Sequence, residues 1–176
     1  MNLSRRDLRR KAPVITWKFW VWLAAVLLLS SLALVVWLVR QAGSDYAMEE
    51  REAVRRVMRE AGLVSVEWAF LHVWDDRVWV VLGTDGEGVR WMVWETPDGY
   101  VREREADLVS EAELRAMIRN DDPERRILRI VPGWFQGEPV WEVRYYRTGP
   151  DEDRQAIDFY SARDGTKRKT YDLPGL

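Results

Sequence analysis

An uncharged segment near the N-terminus constrains this chain more than any other feature of the sequence. Residues 19–38 contain no charged side chain over twenty positions. As an α-helix, such a run extends for about 30 Å, which matches the hydrocarbon core of a bilayer. Because the run occurs once, it predicts a short tail, a single membrane anchor and one remainder on the other side of the membrane.

The charges on either side of this segment predict its orientation. Residues 1–40 carry a net charge of +6, whereas residues 41–176 carry −8. Lys and Arg are retained on the cytoplasmic side of a membrane segment, so we expect a cytoplasmic N-terminus and extracytoplasmic C-terminal domains in the cell membrane. A cleaved signal peptide is the alternative, but its apolar region is usually about 7–15 residues long, and residues 39–43 match a cleavage site poorly.

The rest of the sequence predicts five regions along the chain. They are a basic tail over 1–18, the anchor over 19–40, a linker over 41–47, a first domain over 48–106 and a second domain over 107–176. The sequence has no cysteine, which excludes disulfides, thiol catalysis and thiolate metal sites. Each small extracytoplasmic domain must therefore be held together by its core alone.

The first domain has the pattern of a helix followed by an antiparallel meander. Apolar residues at spacings of three and four predict a helix from residue 49 that stops before Gly62. Residues 64–72 then alternate as a half-buried strand, in which His72 shares a face with Trp68 and Phe70. Further strands are predicted at 77–82, 89–94 and 100–104, with a glycine-rich loop over 83–88 and a turn at Asp98-Gly99.

The second domain repeats this order. Ser110 and Glu113 form a capping-box pattern at the start of a helix. A strand is predicted over 127–131 and a turn over 132–137, which would place Trp134 and Phe135 at a hairpin tip. Three more strands follow at 140–145, 154–161 and 166–171, with a loop over 149–153 and a turn at Asp164-Gly165.

The two domains match closely enough to indicate a tandem duplication. Trp79 corresponds to Trp141, and the Asp-Gly turn at Asp98 corresponds to the one at Asp164. One helix on one face of a sheet is a workable two-layer core, although each copy alone is small. The predicted fold is therefore α+β, with a transmembrane helix and two units, each a helix on a sheet of three or four antiparallel strands.

Five segments after the single N-terminal anchor have a familiar pattern: 78–85, 110–113, 140–145, 158–160 and 164–166. With these segments and the anchor, the chain resembles the TseB (YpmB-like) family of Gram-positive bacteria. It implies two PepSY-like, cystatin-related domains outside the membrane. It also implies a regulator of cell-wall elongation that binds a class B penicillin-binding transpeptidase. The PepSY kinship implies an alternative role as an inhibitor or sensor of an extracytoplasmic protease.

Residues suited to catalysis are few. His72 is the single histidine, and without cysteine it can form neither a Cys–His pair nor a histidine-rich zinc site. The acidic clusters at Asp85/Glu87, 121–124 and 151–153 lack the spacing of a calcium loop and indicate solvated turns. We therefore expect no enzyme, no cofactor, no metal and no small-molecule ligand. Because residues 41–176 are acidic, we also expect no nucleic-acid partner.

Trp134 and Phe135 are the remaining candidates for a functional surface. Two large apolar rings at a turn are unusual, because turns face water. Packing against the neighbouring copy is one interpretation, and contact with a partner or with lipid is the other. The sequence leaves both open.

Overall fold

The computed structural model describes residues 17–147 and 154–174. Most of the predicted basic tail, the loop over 149–153 and the acidic cluster at 151–153 lie outside these residues. The chain divides between Tyr46 and Ala47 into two compact units. The structure is α+β, with an apolar N-terminal helix and two four-stranded antiparallel sheets, which confirms the predicted class at that level.

The first helix, α1, extends from Trp17 to Ala61. Its segment Trp17–Val39 has a mean hydropathy of 2.5, and by length and composition it could cross a membrane. The sequence predicts a linker over 41–47 that separates the anchor from the next helix. The structure has no such break, because α1 is helical through these residues. Gly43 is the main helix-weakening residue there, and one glycine costs a helix only about 1 kcal/mol relative to alanine.

The first sheet follows directly after Gly62, whose positive φ of 67° ends α1 as predicted. Its strands pair in sequence order as an antiparallel meander: β1 Leu63–Val73, β2 Arg77–Asp85, β3 Arg90–Thr96 and β4 Gly99–Arg104. A 3-10 helix at Glu105–Asp107 then leads to α2, Glu111–Asp121.

The second sheet has the same meander order. Its strands are β5 Arg126–Phe135, β6 Glu138–Tyr146, β7 Gln155–Ser161 and β8 Lys167–Asp172. The predicted capping box before this sheet is confirmed: the Glu113 N–H donates to Ser110 Oγ, and the Ser110 N–H donates to the Glu113 carboxylate. The equivalence of Trp79 and Trp141 also holds, since both are buried in the second strand of their sheets.

The predicted glycine-rich loop over 83–88 is too long, because β2 continues to Asp85 and only the turn before Arg90 remains. Gly83 belongs to the strand for a steric reason. A Cβ atom on Gly83 would lie 2.4 Å from the Ser65 carbonyl oxygen, where β1 has an irregular register. The glycine therefore lets the two backbones approach closely.

The predicted turn over 132–137 is also too long. Strand β5 continues through Pro132 to Phe135, and proline is tolerated there because β5 is an edge strand. The turn is limited to Gln136 and Gly137, whose φ angles of 50° and 83° are both positive. Two such residues are typical of a two-residue hairpin turn that matches the twist of the strands.

Three groups of buried side chains hold the unit Ala47–Leu176 together. The end of α1 packs on one face of the first sheet through Val57, Ala61, Val81 and Val93. The other face of this sheet joins α2 and the second sheet in a shared core, which includes Val80, Trp94, Leu114, Ile130 and Trp141. The far face of the second sheet has its own group, Phe135, Val140, Ile157 and Phe159.

Candidate functional site at the junction of the two sheets

Strand β5 forms the junction between the two sheets, since it contacts both β1 and β2. Gly133 of β5 lies against His72 of β1: a Cβ atom on this glycine would be 2.6 Å from the His72 Nε2 atom. The indole Nε1–H of Trp94 also donates to the Gly133 carbonyl at 2.9 Å. The absent side chain at Gly133 therefore makes room for the histidine ring.

His72 is 2% exposed, and both of its ring nitrogens have partners. The Trp134 backbone N–H donates to Nδ1 at 3.3 Å, and Nε2 lies 3.1 Å from a Glu142 carboxylate oxygen. Because Nδ1 accepts, the hydrogen-bond pattern assigns the proton of the neutral ring to Nε2, which then donates to Glu142. His72 thus connects the first sheet to both β5 and β6.

Glu142 is buried and accepts two hydrogen bonds through different oxygens. One comes from His72, and the other comes from Arg129 Nη2 at 2.6 Å. Burial opposes ionisation of this carboxyl, but the hydrogen bonds from His72 and Arg129 outweigh it and hold the pKa of Glu142 below its ordinary value. The carboxylate is therefore charged and fully engaged at neutral pH.

Aromatic rings cover this polar contact on the far face of the second sheet. Phe135 stacks on Phe159 with ring centroids 4.4 Å apart. Trp74, from the hairpin between β1 and β2, reaches across to pack on Phe159 at 5.0 Å and on Tyr171 at 5.1 Å. The first sheet thus contributes Trp74 as well as His72 to the core of the second.

The structure separates the two residues predicted to contact a partner. Phe135 is 1% exposed within the aromatic group, so its prediction as a surface contact is wrong. The reason is that β5 continues past the expected turn and carries Phe135 back over the sheet. Trp134 is half-buried against the shared core, which agrees with packing between the copies, and its role in partner contact stays a prediction.

The polar groups at the junction have a structural role. A general base needs a nitrogen within reach of a substrate proton, and both nitrogens of His72 are engaged in a buried contact. Within residues 17–147 and 154–174, no group of three or more His, Cys, Asp or Glu side chains could hold a metal ion. The arrangement fixes one sheet against the other.

A second buried carboxylate, Asp158 of β7, was not singled out from the sequence. Its oxygens accept hydrogen bonds from Tyr145, Tyr160, Thr170 and Arg125. Burial, followed by the nearby negative charge of Asp158, raises the pKa of Tyr145 to about 12. The signal in the sequence is an aspartate between the apolar residues Ile157 and Phe159, in a strand that is buried from Ala156 to Ser161.

The acidic residue Asp85 also has a structural role. One of its oxygens accepts the backbone N–H groups of Glu87 and Val89, and the other accepts the Trp91 indole N–H at 2.7 Å. Arg102 contacts the same carboxylate and stacks 3.6 Å over the Trp91 ring. Asp85 therefore stabilises the turn between β2 and β3.

Among solved structures, the chain is similar to the YpmB protein from Bacillus subtilis. The TM-score is 0.64 at 19% sequence identity, over 70% of this chain and 97% of that chain. At this identity the similarity shows a common fold. A candidate lipoprotein from Clostridium difficile 630 matches with a TM-score of 0.35 at 8% identity, over 70% of this chain and 91% of that chain, which is too weak to support an argument. No family model and no curated protein matches the sequence.

Gly133→Ala tests the close packing at the junction. We expect the free energy of unfolding to fall by about 1–3 kcal/mol, because the new methyl group would overlap the buried His72 ring. Urea unfolding of the full chain in detergent, followed by tryptophan fluorescence, measures this change. Gly86→Ala is the matched control, since its Cβ atom would meet nothing closer than 3.9 Å. Equal stability of the two variants would contradict the packing argument.

Glu142→Gln tests the buried polar contact. An amide cannot accept from both His72 and Arg129 as a carboxylate does, so we expect a loss of about 2–3 kcal/mol at pH 7. The lowered pKa of Glu142 means that its contribution is present above the unfolded pKa and is lost as the pH falls through the lower folded pKa.

The difference between wild type and Glu142→Gln should therefore shrink as the pH falls below about 4.3, the ordinary glutamate pKa. Urea unfolding at a series of pH values measures it. Glu138→Gln, in the same strand, removes a more exposed contact to Arg168 and should change stability by less than about 1 kcal/mol. A Glu142→Gln difference that stays constant down to pH 3 would show that the carboxylate charge is not the source of the stability.

Proposed function

We propose that this protein is a membrane-anchored, extracytoplasmic and non-catalytic regulator of cell-wall elongation, which binds a class B penicillin-binding transpeptidase. In this proposal it belongs with the TseB (YpmB-like) proteins, and its two sheet units are PepSY-like domains. The observation that supports it best is the combination of one apolar N-terminal helix with a fold similar to that of YpmB.

Membrane anchoring is supported by the composition of α1. Trp17–Val39 is long and apolar enough to cross a bilayer, and its side chains are exposed rather than packed in a protein core. The basic residues before it and the acidic excess after it favour an extracytoplasmic location for the sheets.

A binding role is supported by how the polar side chains of the junction are used. His72 and Glu142, which are the residue types that a hydrolase would use, are buried and hydrogen-bonded to each other. A regulator that acts by contact needs a rigid surface and no reactive group. The buried hydrogen bonds of His72 to Glu142 and to the Trp134 backbone hold the two sheets together and favour such rigidity.

Membrane orientation is testable because the chain has no natural cysteine. Glu87→Cys places a single thiol in the exposed turn between β2 and β3, and Ser4→Cys places one in the tail. In intact cells, a membrane-impermeant maleimide should label Cys at position 87 and should label position 4 only after permeabilisation. Equal labelling at both positions without permeabilisation, or protection of position 87, would contradict the proposed topology.

Partner binding is testable by crosslinking in the native membrane. The tagged full chain should recover a class B transpeptidase above the level obtained with a matched control, in which residues 47–176 are replaced by an unrelated domain. Mass spectrometry of the crosslinked products measures the enrichment. Equal recovery by both proteins would exclude the sheet unit as the binding element, and recovery of a protease whose activity falls on binding would favour the alternative role.

A further inference from the structure

Three arginines on α1 form a row with no acidic partner. Arg51, Arg55 and Arg59 are spaced four residues apart, so they project from adjacent turns of one side of the helix. All three are exposed, and none makes an ion pair or hydrogen bond with a residue that the structure describes. We call this set the arginine row.

The lack of partners is notable because other arginines of the same unit are paired. Arg56, on the same helix, makes a bidentate contact to Glu95 at 2.7 and 3.1 Å. Arg77 and Arg90 pair with Glu49 and Glu67. Like charges four residues apart on a helix repel each other, so the arginine row destabilises α1 slightly.

A groove lies beside the arginine row. It has a volume of about 370 Å³ and is formed between α1 and the edge strand β1. Its apolar lining is half-buried and consists of Val54, Val66, Trp68 and Ala69, and its charged lining includes Arg51 and Arg55. A concave apolar surface of this size suits one or two aliphatic side chains of a ligand.

The two acidic residues that line the groove do not pair with its arginines. Glu67 also lines it, but both carboxylate oxygens of Glu67 accept hydrogen bonds from Arg90, at 3.0 and 2.8 Å. Glu50 is the other acid in the lining. Arg90 also contacts Glu105 at 2.9 Å, so it bridges two carboxylates. The three arginines of the row against Glu50 and Glu67 still leave the groove and the arginine row with more positive than negative charge.

We infer that this groove binds an acidic peptide segment of a partner protein, with aliphatic side chains on Val54, Val66 and Ala69 and carboxylates on the arginine row. Alternating acidic and aliphatic residues fit best, because extended chains place successive side chains on opposite sides. The inference does not rest on the proposed role in wall elongation, since the groove and its charges are defined without it.

A defined probe tests this inference on the full chain in nonionic detergent. The probe is a fluorescein-labelled dodecapeptide of alternating Glu and Val, and the reference is the same peptide with Lys in place of Glu. We expect the acidic peptide to bind at least about tenfold more tightly by fluorescence anisotropy, with an affinity that falls as salt is added.

Variants of the chain locate the binding site. Arg51→Gln, Arg55→Gln and Arg59→Gln together should weaken binding of the acidic peptide about tenfold. The matched control removes the same charge from exposed arginines elsewhere, at Arg104, Arg119 and Arg126, and should change the affinity by less than about twofold. Glu50→Gln should strengthen binding, because it removes the remaining acid of the groove.

Three outcomes would overturn the inference. The first is no binding of the acidic peptide, and the second is an equal loss in the row variant and the control variant. The third concerns lipid. The full chain in phosphatidylcholine nanodiscs should bind the probe as tightly as in nanodiscs that also contain phosphatidylglycerol. Loss of probe binding in the anionic nanodiscs, at a salt concentration that leaves binding in the phosphatidylcholine nanodiscs intact, would assign the arginine row to lipid headgroups instead.

Discussion

The approach of strand β5 to the first sheet is the contact on which the rest of the unit Ala47–Leu176 depends. A four-stranded sheet with one short helix buries little apolar surface and is only marginally stable alone. The shared core solves this by placing Trp94 of the first sheet and Ile130 of the second in one cluster. That arrangement requires the backbone of Gly133 to lie against His72, so one missing side chain permits the whole interface.

Polar groups complete this interface without leaving a buried group unsatisfied. Among the described residues, every buried side-chain nitrogen and oxygen has a hydrogen-bond partner. Breaking a buried pair by removing one partner is strongly destabilising, because it leaves an uncompensated charge. Glu142 and Asp158 are buried carboxylates of this kind, and each is tied to specific partners by several hydrogen bonds.

Local signals in the sequence were sufficient for much of the fold. The Ser110 capping box and the stop at Gly62 each depend on neighbours within a few positions, and each is confirmed. The predicted alternation over 64–72 fails in its first half, because β1 has irregular register at Leu63/Ser65 and Val66/Trp68, and Val66 packs with Ala69 on the side of α1. The shared face of Trp68, Phe70 and His72 is confirmed as well, since these residues pair with Leu82, Val80 and Val78. Short-range patterns of this kind are legible in a single sequence.

The candidate site was harder to predict because its contacts join distant parts of the chain. His72 and Glu142 are 70 positions apart, and the sequence contains no sign that they meet. The sequence predicts a turn at Phe135, because Pro132 and Gly133 precede it. In the structure the backbone stays extended as edge strand β5 up to Phe135, whose ring stacks on Phe159. The arginine row is visible as helical spacing, but its lack of acidic partners is a property of the folded unit.

The strand registers show that His72 and Gly133 lie at corresponding positions in the two sheets. His72 pairs with Val78, next to Trp79, and Gly133 pairs with Val140, next to Trp141. The histidine and the glycine therefore occupy corresponding register positions in the two sheets, where one supplies a ring and the other supplies the space for it. The contact is asymmetric, so the two sheets cannot exchange these two residues and keep the same packing.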